Sequence, residues 1–192
     1  MPVGDCENAF VETALKHGVQ LVRYKMPWLN QRGHFGLPDS ASAVAVPLEK
    51  IFASLGGKGA AQSVKRTTAL PGDFIHEGTG TIIEVDEIQH FTSFRLQTFS
   101  FYPGALPLGF DVNQYSSLCE RYSPLADMYR HSKSAVAFGV GGRQRQRAYY
   151  DALRDLATPA MGHPPLIRIP APDGNGKAAF ERNLERLLNA LT

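Results

Sequence analysis

The sequence predicts an α/β fold, and three observations carry that expectation. A short apolar run opened by an acid, residues 73–75, and a β-branched run, residues 81–85, flank the Gly-containing turn His76-Glu77-Gly78-Thr79-Gly80. A third short apolar run, residues 166–169, is closed by Pro170. Around these runs lie segments whose apolar residues recur at helical spacing.

In order, residues 7–22 suit a first helix, weakened by Gly18, and residues 26–43 read as irregular chain because of Pro27, Gly33, Gly36, Pro38 and Asp39. Pro47 then opens a helix with Leu48, Ile51, Phe52 and Leu55 on one face, and Gly56-Gly57 stops it. Residues 63–70 fit a short strand or a loop. The two central strands are expected to pair antiparallel, with Ile75 near Thr81 and Asp73 near Ile83 and Glu84. Residues 91–142 are rich in aromatics, Pro and Gly, with helical spacing only at 114–122 and 124–132, and read as an insertion or small subdomain. Helical spacing returns at 144–157 (Ala148, Tyr149, Ala152, Leu153, Leu156) and at 178–191 (Phe180, Leu184, Leu187, Leu188, Leu191).

At 192 residues the chain is long enough for one substantial core, and a single domain over 1–192 is expected. The formal charge of +2 excludes a polybasic coat, but residues 121–154 concentrate arginines, a patch suited to a phosphate backbone. Cys6 and Cys119 form no disulfide framework and no zinc motif, which fits a reducing cytoplasm. The start of the chain lacks the pattern of a secretion signal, and no apolar run is long enough to span a membrane.

The most informative stretch is residues 73–90. Period two places Glu84 and Asp86 on one face of the second strand, with Ile83 and Val85 on the other, and antiparallel pairing brings Asp73 alongside. Three carboxylates so close repel one another and raise each other's pKa unless a cation lies among them. Their hard oxygens suit Mg²⁺ or Mn²⁺. Asp73 and Glu84 are the expected metal ligands, the Val85 carbonyl a third, and Asp86 a further ligand or the holder of an attacking water. Gln89 and His90 are candidates for contacting phosphate or positioning that water. Solvent-facing acids at strand ends are the competing interpretation.

These motifs resemble the PD-(D/E)xK nuclease superfamily, nearest to its small very-short-patch-repair-like and related endonuclease-like domains. The similarity rests on Asp73-Phe74, then Glu84-Val85-Asp86-Glu87 with Gln89-His90, then Tyr150-Asp151-Ala152-Leu153-Arg154-Asp155, and finally Leu166-Ile167-Arg168-Ile169. Glu49 fits the acidic residue of a first core helix. The resemblance covers roughly residues 47–90 and 144–170. It implies a restriction-endonuclease-like core, a mixed central sheet flanked by helices, and a catalytic set of Asp73, Glu84, Asp86, Gln89 and His90. Two departures stand out: Asp86 occupies the place of the superfamily's usual lysine, and Glu87 that of a glycine common in the subgroup.

The activity so implied is a Mg²⁺- or Mn²⁺-dependent DNA endonuclease, restriction-like, acting on double-stranded DNA as a possible homodimer. The alternatives are a nicking repair enzyme, a nucleic-acid-binding protein that keeps the fold without the chemistry, and an interaction protein using residues 91–142 as a partner surface. Candidate nucleic-acid contacts are Arg95, Arg130, Lys133, Arg143, Arg145, Arg147, Arg154 and Arg168. The segment 91–142 is expected to serve recognition or dimerisation, and Phe91, Phe94, Phe99 and Phe101 to pack as core. Gly56-Gly57-Lys58-Gly59 lacks the Lys-Ser/Thr pair of a phosphate loop, and the remaining histidines have no ligand spacing.

Overall fold

The computed structural model describes residues 4–191. Helix α1 (Asp5–Lys16) leads into strand β1 (Val22–Asn30), followed by two 3₁₀ turns and the short helices α2 (Ala45–Ser54) and α3 (Gly59–Ser63). Strands β2 (Ala69–His76) and β3 (Thr81–Glu87) form the central hairpin. Helices α4 (Ser93–Phe99), α5 (Val112–Ala126) and α6 (Arg143–Ala160), strand β4 (Ile167–Ala171) and helix α7 (Gly176–Ala190) complete the order.

The four strands lie in the order β1-β2-β3-β4. The first two pairings are antiparallel and β3–β4 is parallel, so the sheet is mixed. Ile83 and Val85 on β3, with Ile167 and Ile169 on β4, pack beneath α1 and α7. The opposite face carries Leu70 and Ile82 beneath α2 and α6. Helices therefore cover both faces, and residues Thr81–Asp86 are all buried. A strand enclosed on both sides would ordinarily be apolar throughout. Glu84 and Asp86 break that rule on the α6 face.

Three readings of the chain change. Residues 22–30, read in part as irregular, form a strand. β1 is the sheet's edge strand, where Pro27 removes no needed ladder donor, and its irregular register accommodates the interruptions. The central hairpin is offset by one residue from expectation: His76 faces Thr81, Ile75 faces Ile82 and Phe74 faces Ile83. This register brings Asp73 level with Glu84. Finally, α4 begins at an N-cap, where the Thr92 side chain accepts from the Arg95 N–H, a signal that aromatic-rich composition obscured.

Within residues 91–142, α4 and α5 build a small aromatic cluster around Phe91, Phe110, Tyr115 and Cys119. Ala135, Ala137 and Phe138 belong instead to the main core. Phe91 is fully buried, and Phe94, Phe99 and Phe101 are half-buried against the clusters. No helix among the described residues is long and apolar enough to cross a membrane.

Candidate functional site

The β2–β3 ladder opens beyond the Phe74–Ile83 pair, and two carboxylates take over its hydrogen bonds. Asp73 Oδ2 accepts from the Val85 N–H at 2.8 Å, and Glu84 Oε1 accepts from the Asp73 N–H at 3.2 Å. Each carboxylate thus has one oxygen committed to backbone, while the other takes no hydrogen bond among the described residues. Gly72 permits this approach: a Cβ there would stand 3.0 Å from Glu84 Oε1 and 3.0 Å from the Met26 methyl. A strand residue's N–H and C=O point to the same side, so the Val85 carbonyl lies on the edge facing Asp73.

Burial dominates the titration of this pair. It raises Asp73 to about 7, helped by Glu7 and Asp86 and opposed by the Val85 N–H and Arg154. It raises Glu84 to about 8, opposed by Arg154 and assisted by Asp73. The nearest cation is Arg154, whose Nε is 3.9 Å from Glu84 Oε1. That guanidinium is also held by the Pro71 carbonyl, at 3.0 Å from Nη2, and by Asp151 at 3.1 Å. It therefore neutralises the pair only in part.

Asp86 lies in a different electrostatic setting. Both of its oxygens receive Arg168 Nη1, at 2.8 and 2.9 Å, and Tyr115 donates its hydroxyl at 3.0 Å. Arg168 is completely buried and also bonds Asp155 from Nε at 2.6 Å and the Asp151 carbonyl from Nη2 at 3.1 Å. Asp155 further pairs with Arg95 and accepts from Tyr102 at 2.7 Å. The expected convergence of three acids thus divides: Asp73 and Glu84 share one place, while Asp86 is a counter-ion of Arg168. Among the described residues no group of three His, Cys, Asp or Glu side chains is arranged to hold a metal ion.

This network corrects two of the nucleic-acid assignments. Arg95 and Arg168 are 1 % and 0 % exposed, with their donors spent on buried carboxylates and a tyrosine, so neither reaches a phosphate backbone. Asp155, next to Arg154 in the chain, pairs with Arg168 and Arg95, whereas Asp151 bonds Arg154. Tyr102 and Tyr115 belong to the network without any sequence signal beyond their aromatic surroundings. Glu49 is exposed on α2, away from the sheet face.

His90 closes the far end of β3 on a 3₁₀ turn. Its Nδ1 is 2.8 Å from Asp151 Oδ2 and 3.3 Å from Asp86 Oδ1, so that nitrogen carries the hydrogen and Nε2 takes no bond among the described residues. Asp151 in turn sits well below the usual carboxylate range: burial pushes it up, but His90, Arg168 and Arg154 outweigh that. Gln89 reaches Glu87 at 3.5 Å, and its carbonyl accepts from Arg147 at 3.2 Å.

Gln89 and Glu87 line a cleft of about 440 Å³ with Glu7, Tyr129, Arg130, Arg143, Arg147 and Asp173. A second cleft of about 320 Å³ is lined by Lys65, Pro71, Arg143, Gln146, Tyr150 and Arg154, among others. Arg145 instead braces a loop, donating to the carbonyls of Phe138 at 2.9 Å and Val140 at 3.3 Å, and Lys133 is exposed.

The chain belongs to a family of unknown function, DUF7255, whose model matches residues 50–190. That span includes β2, β3, α6 and β4, and hence every residue of the carboxylate pair and the arginine network. No curated protein and no solved structure matches the sequence.

Proposed function

We propose that this protein is a metal-dependent nuclease that hydrolyses phosphodiester bonds of DNA, with Asp73 and Glu84 at its centre. The observation that carries this reading is the under-neutralised pair: two carboxylates on adjacent strands, Asp73 half-buried and Glu84 buried, each with an uncommitted oxygen and raised by desolvation to about 7 and about 8 respectively. Such a pair lowers its free energy by accepting a proton or a hard cation. The mixed sheet covered by helices is compatible with the restriction-endonuclease-like core that the motifs imply.

The donors fit Mg²⁺ or Mn²⁺. Two carboxylates and the Val85 carbonyl offer hard oxygens, and Mg²⁺ commonly binds through one or two carboxylates plus substrate phosphate. When bound, such an ion polarises the scissile phosphate and stabilises charge developing on the leaving oxygen. The chain's own groups supply the rest. His90, fixed by Asp151 through Nδ1, presents Nε2 to take a proton from the attacking water. Arg154, anchored on Pro71 and Asp151, offers positive charge beside the reacting phosphate. Asp86 holds Arg168 and so keeps β3 and β4 in register beneath α6.

The test is cleavage of a supercoiled plasmid and of a single-stranded circle with Mg²⁺ or Mn²⁺, against Asp73→Asn and Glu84→Gln. Metal-dependent cleavage lost in both variants supports the reading. Absence of cleavage by the wild-type protein on either substrate overturns it. The commitment of Asp86 to Arg168, at the position where the nuclease superfamily that the motifs resemble usually has lysine, favours one second reading: a nucleic-acid-binding protein without hydrolysis. Salt-sensitive retention of DNA with no products would establish that alternative.

A further inference from the structure

The two clefts beside α6 adjoin at Arg143 and are taken together as a groove. Arg143 lines both, and Arg143, Gln146, Arg147, Tyr150 and Arg154 follow one another at helical spacing on a single face of α6. Residues from the 129–143 loop form one wall: Tyr129 and Arg130 at the first cleft and Val136 at the second. That wall is braced, because Gln144 donates to the carbonyls of Asp127 and Tyr129 at 3.0 and 2.8 Å. The facing wall is Glu7, Glu87 and Asp173 at one end and Gln31, Lys65 and Pro71 at the other.

Several cations of this groove are placed by neutral partners and not by acids: Arg147 donates to the Gln89 carbonyl and Lys65 to the Tyr150 hydroxyl. Arg130, Arg143, Arg147 and Lys65 make no ion pair with any carboxylate among the described residues. They also oppose one another: burial and then Arg143 lower the Lys65 ammonium, and burial, Arg143 and Arg130 lower Arg147 against the pull of Asp151. Clustering cations without counter-ions is unfavourable in the free protein and becomes favourable only when an anion enters. The groove ends at Arg154, the cation nearest Glu84.

We propose that this groove holds one unpaired strand of DNA, with its phosphates along Lys65, Arg143, Arg147 and Arg154. The inference rests on the nuclease reading for its chemistry and names the form of its substrate. A recessed, two-walled track admits a single backbone, whereas a duplex would rest on the rims. The first cleft carries both signs: Arg130, Arg143 and Arg147, and also Glu87 together with Glu7 and Asp173, which pair with Arg23 and Arg182. Carboxylates turn phosphates away but accept hydrogen bonds from exocyclic base amines, a role that falls to Glu87. Tyr129, 37 % exposed, has the guanidinium groups of Arg130 and Arg147 at 5.3 and 5.9 Å from its ring centre, and a base entering the cleft would stack on it in competition with them.

The experiment is fluorescence anisotropy in EDTA with a fluorescein-labelled mixed-sequence DNA strand, alone and annealed to its complement. The single strand should bind at least about tenfold more tightly than the duplex, with affinity falling steeply as salt rises. Arg143→Glu and Lys65→Glu should each weaken strand binding by about tenfold or more and flatten the salt dependence. Tyr129→Ala should weaken it without changing the salt slope, since stacking releases no counter-ions. Thermal melts of each variant establish that the fold is intact, and the exposed Arg143 is the variant most certain to retain it. Equal or tighter duplex binding, or full affinity in folded Arg143→Glu, overturns the proposal. Because EDTA removes catalysis, strand binding by a protein that cleaves nothing would retain the groove and discard the nuclease. Cleavage with unaltered affinity in the groove variants would do the reverse.

Discussion

Two sets of carboxylates lie on the same face of the sheet, and they titrate in opposite directions. Asp151 is driven well below the ordinary carboxylate range, whereas Asp73 and Glu84 are raised to about 7 and about 8. Burial pushes all three upward. The difference is the company: Asp151 has His90, Arg168 and Arg154 within 3.7 Å, while the pair shares one arginine at 3.9 Å. Desolvation decides which charges are costly, and fixed counter-charges decide which are structural. The acids matched by arginine hold the fold together; those left short are available to a ligand.

The largest effect should come from breaking the matched side. Arg168→Met removes the one cation touching Asp86, Asp151 and Asp155 and leaves their charges buried without it. We expect a loss of about 3–5 kcal/mol in urea denaturation, with refolding abolished if the upper value applies. A loss under about 1 kcal/mol would place these acids with the reactive pair rather than apart from it.

The unmatched side should respond to pH and cation instead. Raised folded pKa values mean that the native state binds protons more tightly than the unfolded chain. The resulting stability is present in acid and is lost as pH climbs from the ordinary carboxylate range through about 7 and about 8. Thermal unfolding should therefore show a decline of about 1–3 kcal/mol across that window, reduced in Glu84→Gln to the share of Asp73. Millimolar Mn²⁺ should restore stability at pH 8 and do little at pH 5, where protons occupy the pair. A flat profile in the wild-type protein, or equal Mn²⁺ stabilisation in Glu84→Gln, would remove the distinction between the two sets.

The same contrast marks what the sequence disclosed. The period of β3 put Glu84 and Asp86 on one face, and the hairpin signals put Asp73 nearby; both are seen. Nothing local could show that Arg168, 82 positions beyond Asp86, would occupy the space beside it, because that contact exists only through the parallel β3–β4 pairing. Arg95 stands among the candidate nucleic-acid contacts for the same reason: a lone arginine in an aromatic segment carries no mark of the aspartate it will meet on α6. Lys65 is likewise silent in sequence and finds its place only when Tyr150 comes alongside, its hydroxyl 3.1 Å away. The missed strand β1 is another case, since edge position made its proline tolerable and edge position is a property of topology.

The smallest predicted effect concerns the backbone beneath the pair. Gly72 has no need of an unusual conformation; it is glycine because Glu84 Oε1 and the Met26 methyl each stand 3.0 Å from where a Cβ would be. Gly72→Ala forces one of them to yield. The methionine is flexible and buried among apolar neighbours, while the carboxylate is held by the Asp73 N–H. Movement of Met26 alone should cost about 1 kcal/mol or less and leave cation binding unchanged. Movement of Glu84 would break its hydrogen bond, release the coupling to Asp73 and weaken Mn²⁺ stabilisation at pH 8 even though both carboxylates remain. Calorimetry of this variant with and without Mn²⁺ separates the two. Weakened cation response with near-normal stability is the expected outcome, because Met26 is completely buried among core neighbours whereas a single 3.2 Å hydrogen bond holds Glu84 Oε1. Unchanged Mn²⁺ stabilisation would show that the pair's position is set by the strands and not by the space that Gly72 leaves.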